Sequence, residues 1–152
     1  MALPETPSRG VDLADTTTLI RLGYWHRAAS MAAGPVDDPW PKPQDMVDEG
    51  WDASERPGAA GYLDRDVVAS YLERGFVARA YRGLSPCRLC GQNNGCLELT
   101  DGTFLWPEGL AHYVRDHAVR LPDRFLEHVA GVTGAIESAD VEESWWKSLR
   151  MD

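Results

Sequence analysis

Residues 87–117 read CRLCGQNNGCLELTDGTFLWPEGLAHYVRDH, and the order of chemistry along that run decides the fold. Cys87 and Cys90 form a C-x-x-C turn, and Gly91 after them suits a tight knuckle whose amides face the sulfurs. Leu97 to Trp106 reads as two short strands around Asp101-Gly102, a strong hairpin signal because a type I′ turn needs positive φ at both central residues. Pro107 suits a first helical turn and Glu108 favours its positive end. The helix that comes next places Leu110, Tyr113, Val114 and His117 on one face and also carries His112.

The order is therefore knuckle, hairpin, helix, with two thiols in the first and two imidazoles in the last. Zinc takes four tetrahedral ligands from thiolate and imidazole donors, so Cys87, Cys90, His112 and His117 are the candidate metal ligands. The spacing is C-x2-C, 21 residues, then H-x4-H. That gap is longer than in a DNA-reading ββα finger and suits a treble-clef-like module with the whole hairpin between knuckle and helix. On a regular helix, residues five apart differ by about 140°. Both histidines reach one metal only if the helix tightens or ends near Asp116, and the chain must break before Pro122. A second ligand set stays open: Cys87, Cys90, Cys96 and one histidine. A redox role for the C-x-x-C pair would need a βαβ context, which is missing here. His26 and His128 have no companion at ligand spacing.

Four clustered ligands in a loop-rich chain describe a closed, structural zinc site. An open site would need a nearby base, for which Glu98, Asp101, Glu108 and Asp116 are the available acids, Glu98 or Glu108 foremost. Glu98 within a strand is not explained by turn chemistry, and Trp106 beside it is placed to line a small pocket. No glycine-rich phosphate loop, nucleophile elbow or Walker pattern is present.

Working upstream, Asp64 to Arg74 reads as a helix, with Asp64 as N-cap, an apolar stripe of Val67, Val68, Tyr71 and Leu72, and Gly75 as the C′ glycine. Phe76 to Tyr81 alternates as a strand leading to the cysteines. Ser54 to Gly61 is a loop, and Gly34 to Trp51 is an extended wrapping segment whose four prolines preclude long regular elements. Thr16 to Trp25 reads as a strand and His26 to Ala33 as a short helical turn. Downstream, a helix starts at Leu121-Pro122-Asp123 with Phe125, Leu126 and Val129 apolar. Beyond Gly131 the chain is small and polar until Trp145-Trp146, a pair suited either to docking on a partner or a second copy, or to capping the core.

The expected organisation is a disordered tail over 1–15, an extended proline-rich arm over 16–63, a zinc-binding core over 64–130 and a C-terminal tail over 131–152. The fold class is α+β: a treble-clef-like zinc module with an added helix and the N-terminal arm.

The 152 residues amount to one domain, and Gly 14 with Pro 10 marks many turns, for which a bound metal is a fitting staple. A net charge of −9 disfavours nucleic acid, since the arginines around Arg74–Arg88 and Arg115–Arg124 are interleaved with Glu73, Asp116, Asp123 and Glu127. No apolar run approaches the roughly 20 residues that span a bilayer. Met1 to Gly10 carries no basic and apolar leader, so the expected location is cytoplasmic, where thiols stay reduced and such cysteines more often hold metal.

The motifs CRLCG, NGCLELTDG and WPEGLAHYVRDHAVRLPDRF, with the upstream DPWPKPQDMVDEGWDASER, resemble those of a family of small, uncharacterised bacterial proteins with a CRxCG, NGxxELTDG and WPEGLAHYVxxHxVRLP pattern. The likeness runs from about Asp38 to His128, and the Pro57 to Asp64 stretch departs from it. It implies that Cys87, Cys90, His112 and His117 belong to the shared pattern, whereas Cys96 occupies a position that need not be cysteine. It implies zinc binding but no activity. The functional expectations are two: a non-catalytic zinc-stabilised protein-interaction or regulatory module, or a small zinc-dependent enzyme with an open metal position.

Overall fold

The computed structural model describes residues 17–26, 38–53 and 63–150. Asp64 caps the first helix, α1 (Arg65–Glu73), its carboxylate accepting from the Val67 amide at 2.8 Å. Val68, Ala69 and Leu72 are its buried residues, while Val67, expected in the apolar stripe, faces solvent. Gly75 does not take the left-handed conformation of a C′ glycine. A Cβ there would lie 2.8 Å from Trp106 Cζ2 and 2.9 Å from Leu99 Cβ, so glycine lets the chain leaving α1 press against the sheet.

The sheet has the order β1-β4-β3-β2, with β1 (Ile20–Arg21) parallel to β4 (Phe104–Pro107) and antiparallel pairing of β2 (Phe76–Ala80) with β3 (Leu97–Thr100) and of β3 with β4. Among the described residues of the expected first strand, only Ile20 and Arg21 pair. The edge strand β2 exposes every residue, so its sequence alternation does not mark a buried face. Leu99 lies opposite Trp106, and Glu98 opposite Pro107 on one side and Arg79 on the other.

The hairpin is where expected, but its turn is not type I′. Thr100 pairs with Leu105, and Gly102 has φ +94° while Asp101 does not have positive φ. Asp101 instead folds its carboxylate over the turn, accepting from the amides of Thr103 at 2.9 Å and Phe104 at 2.8 Å. Its other oxygen accepts from Tyr71 of α1 at 2.6 Å and meets His128 Nε2 at 2.8 Å. His128 belongs to α3 (Asp123–Glu137), which continues well past Gly131.

Pro107 ends β4 rather than opening a helix, and α2 runs Leu110–His117. Trp106 and Phe125 are almost fully enclosed, with Phe104 edge-on to Phe125 at 5.0 Å, and Trp106 donates its indole N–H to the Leu72 carbonyl at 3.1 Å. The arm forms short 3-10 turns at Pro43–Met46 and Glu49–Ala53. It clamps the α2–α3 junction: Asp48 N donates to the Ala118 carbonyl at 2.8 Å, Arg120 N to the Met46 carbonyl at 2.8 Å, and Val47 bridges Val119. The expected tail over 1–15, the turn after His26 and the Ser54–Gly61 loop lie outside the described residues. No described helix is long and apolar enough to cross a membrane.

Burial pushes the Asp101 pKa up, but the bonds from Tyr71, Phe104, Thr103 and His128 outweigh it, and the net shift is downward. A lowered folded-state pKa stabilises above the ordinary carboxylate value and is lost as pH falls through the folded value. Asp101→Asn is therefore expected to cost about 1–3 kcal/mol at neutral pH. It should also flatten the acid limb of the stability curve, measured as denaturant midpoints from pH 7 downward.

Candidate functional site

The knuckle is a tight reversal closed by backbone hydrogen bonds. Cys87 N donates to the Gln92 carbonyl at 2.7 Å and Gly91 N to the Cys87 carbonyl at 2.8 Å, with Pro86 bridging Asn93. Gly91 has φ +75°, a left-handed turn that glycine enters without strain. Leu89 N points at Cys87 Sγ, 3.4 Å away, as expected for an amide aimed at a thiolate. Tyr113 of α2 seats this loop, its hydroxyl accepting from Arg88 N at 2.7 Å. Burial, joined by the neighbouring Cys87, pushes that phenol up to about 12.

The hairpin and α2 then deliver the histidines. One donor atom from each of Cys87, Cys90, His112 and His117 lies within 4.8 Å of every other, and this is the Cys/His set that the described residues bring together. Cys90 Sγ is 3.3 Å from His112 Nε2, and the two histidine Nε2 atoms are 3.2 Å apart. Zinc–sulfur and zinc–nitrogen bonds of ordinary length in a tetrahedron put ligand atoms roughly 3.3–3.8 Å apart, a spacing that the Cys90–His112 and His112–His117 pairs approach. Asp116 Oδ2 sits 2.6 Å from His112 Nδ1. A carboxylate there requires the proton on Nδ1, which leaves the Nε2 lone pair facing the cluster.

The five-residue spacing is resolved at both ends of α2. His112 N donates to the Gly109 carbonyl at 3.1 Å, a tight first turn, and His117 is the last helical residue. Ala118 is left-handed at φ +52°, and both its amide and that of Val119 end on the Tyr113 carbonyl. The arm holds this break through the Asp48–Ala118 bond. Cys87 forms the buried wall of the cluster and Cys90 its exposed one.

The other sequence-derived candidates go elsewhere. Cys96 is not part of the cluster. Its amide and that of Leu97 donate to Glu108 Oε1, at 2.6 and 3.1 Å, so Glu108 straps the start of α2 to β3 rather than serving a helix end or a metal. Asp101 is the turn hub. His26 Nδ1 lies 3.2 Å from the Asp38 carbonyl oxygen.

Glu98 is buried, at 4% exposure, but not beside Trp106, which belongs to the core. Tyr24 donates to its Oε2 at 2.5 Å, and Tyr81 donates to its Oε1. Burial pushes the carboxyl pKa up, yet the two phenols and the Arg21 and Arg79 charges hold it below the usual range. Above it opens a cleft of about 730 Å³, lined among others by Tyr24, Trp40, Tyr81, Arg82 and Arg88. The sequence singles out Glu98 but does not disclose this cleft, because Tyr24 is 74 residues away along the chain.

No family model, curated protein or solved structure matches the chain.

Replacing Asp116 with asparagine is expected to weaken metal binding about 10–100-fold while leaving its stoichiometry intact. Cys96→Ser should leave affinity unchanged. Competition against a chromophoric chelator measures both, and a Cys96→Ser protein that lost the metal would contradict the four-residue assignment.

Proposed function

We propose that this chain is a non-catalytic, zinc-stapled module that works by binding another protein. The observation that carries the reading is the convergence of two thiols and two imidazoles on one point, with His112 steered by Asp116. Thiolate and imidazole donors select zinc among the common divalent ions, and four of them complete a tetrahedron without leaving a place for water. The order of knuckle, hairpin and helix supports a treble-clef-like module, and the family resemblance implies the same ligand set. The acids expected to act as a base in an open site are engaged elsewhere: Glu98 by two phenols and Glu108 by two amides. Thiolate ligands suit a reducing compartment such as the cytoplasm.

The C-terminal segment supplies the contact. Helix α4 (Ser144–Lys147) exposes Trp145 at 66% and Trp146 at 72%, so the pair does not cap the core. Two adjacent exposed indoles suit an apolar pocket on a protein partner or on a second copy.

Elemental analysis with X-ray absorption at the zinc edge tests the centre. The expected result is one zinc per chain in a shell of two sulfurs and two nitrogens. An oxygen ligand in the shell would move the function to an open, hydrolytic site, and a metal-free protein would end the proposal. Stripping the zinc with a chelator should lower the melting temperature by roughly 10 °C or more, since a tightly bound ion stabilises by several kcal/mol.

A further inference from the structure

The cleft above Glu98 takes no part in the metal cluster. Its volume of about 730 Å³ lies within the range of about 300–1,000 Å³ usual for small-molecule sites. Tyr24 and Tyr81 spend their hydroxyl protons on Glu98, so the base of the cleft offers acceptors and no phenolic donor. Each carboxylate oxygen accepts in two directions, and each receives one phenol, which leaves acceptor capacity for a donor entering from the cleft. Arg79 stands across the strands from Glu98 and does not line the cleft.

The walls are aromatic. Tyr24 and Trp40 stand 6.0 Å apart with their rings tilted at 45°, and Trp40 is 43% exposed. The Arg21 guanidinium, which also lines the cleft, rests on the Tyr24 ring, 4.7 Å from its centroid. On the knuckle side, Arg82 and Arg88 line the cleft, are exposed, and make no ion pair among the described residues. Unpaired guanidiniums in a chain of net charge −9 are placed to receive an anionic group.

A carboxylate acceptor at the base, aromatic walls and two unpaired guanidiniums on one side complement a molecule with both charges. We propose that the cleft binds a small zwitterion of the amino-acid class, its protonated amine meeting Glu98 between Tyr24 and Tyr81 and its carboxylate meeting Arg82 and Arg88. The methylenes between the two ends lie against Trp40. The site does not depend on which metal fills the cluster.

The test uses the full, metal-loaded chain. Glycine, β-alanine, γ-aminobutyrate and ε-aminocaproate are titrated while the Trp40 indole resonance is followed, with butylamine and butyrate as single-charge controls. The expected result is saturable binding that peaks at one chain length and exceeds both controls about tenfold, the worth of one charge-assisted hydrogen bond. Glu98→Gln should erase the advantage over butyrate. The Arg82→Ala, Arg88→Ala double variant, which alters exposed side chains and leaves the core untouched, should reduce the zwitterion to the affinity of butylamine. Absence of saturation for all four zwitterions, binding by butyrate as tight as theirs, or an unchanged affinity in the double variant would each overturn the proposal.

Discussion

The structure depends on making one point in space reachable from both ends of a two-turn helix. On a regular helix His112 and His117 would differ by about 140° and could not both reach one metal. The chain satisfies the requirement by starting α2 with a tight turn on Gly109 and ending it at a left-handed Ala118. A non-glycine residue in that conformation costs about 1 kcal/mol and persists where its surroundings over-determine it. Here the surroundings are the arm residues Val47 and Asp48, which pair with Val119 and the Ala118 carbonyl. The proline-rich arm thus has a structural role, because it holds the break that turns His117 inward.

The same demand explains how the acidic residues are used. In a chain of net charge −9, four carboxylates stand out for their geometry, three of them at junctions. Asp101 joins the hairpin turn to α1 and α3, Glu108 joins the entry of α2 to β3, Asp116 orients His112, and Glu98 gathers Tyr24 and Tyr81 over the sheet. A buried carboxylate is costly unless it is hydrogen-bonded, and Glu98, the buried one of the four, is held by two phenols. None of the four except Asp116 touches the cluster, so the charges that fix the fold and the donors of the Cys/His cluster form separate sets.

Legibility in the sequence tracks how local each feature is. The cap at Asp64, the buried stripe of Val68 and Leu72, the hairpin, the helix carrying both histidines and the start of α3 all depend on residues within a few positions of one another, and all are present. Turn detail is less legible, because Asp101 can serve a type I′ turn or bond its own backbone, and Tyr71 and His128 from distant elements tip it to the second. Gly75 departs from its expected cap role for a similar reason: its need for a small residue comes from Trp106 and Leu99, not from its own φ. The exposure of β2 cannot be read from alternation, since an edge strand can alternate with no layer covering either face. The Glu98 cleft is the least legible, being assembled from β1, the arm, β3 and the knuckle.

Metal centre and cleft nevertheless share a wall. The loop from Arg82 to Pro86 is exposed throughout, held by the backbone bonds of Ser85 with Asn94 and Gly95 and by the residues it leads into. These are Cys87, which is buried, and Arg88, whose amide is held by Tyr113 while its side chain lines the cleft. A bound ion would fix Cys87 and Cys90 against α2, and with them the backbone that presents Arg88. Tyr113 belongs to both regions, with its ring against Trp25 on one side and its hydroxyl on the knuckle on the other. A metal bound there would therefore do more than offset a small core: it would set the position of one side of a surface whose other side, Glu98 with its two tyrosines, is built on the sheet.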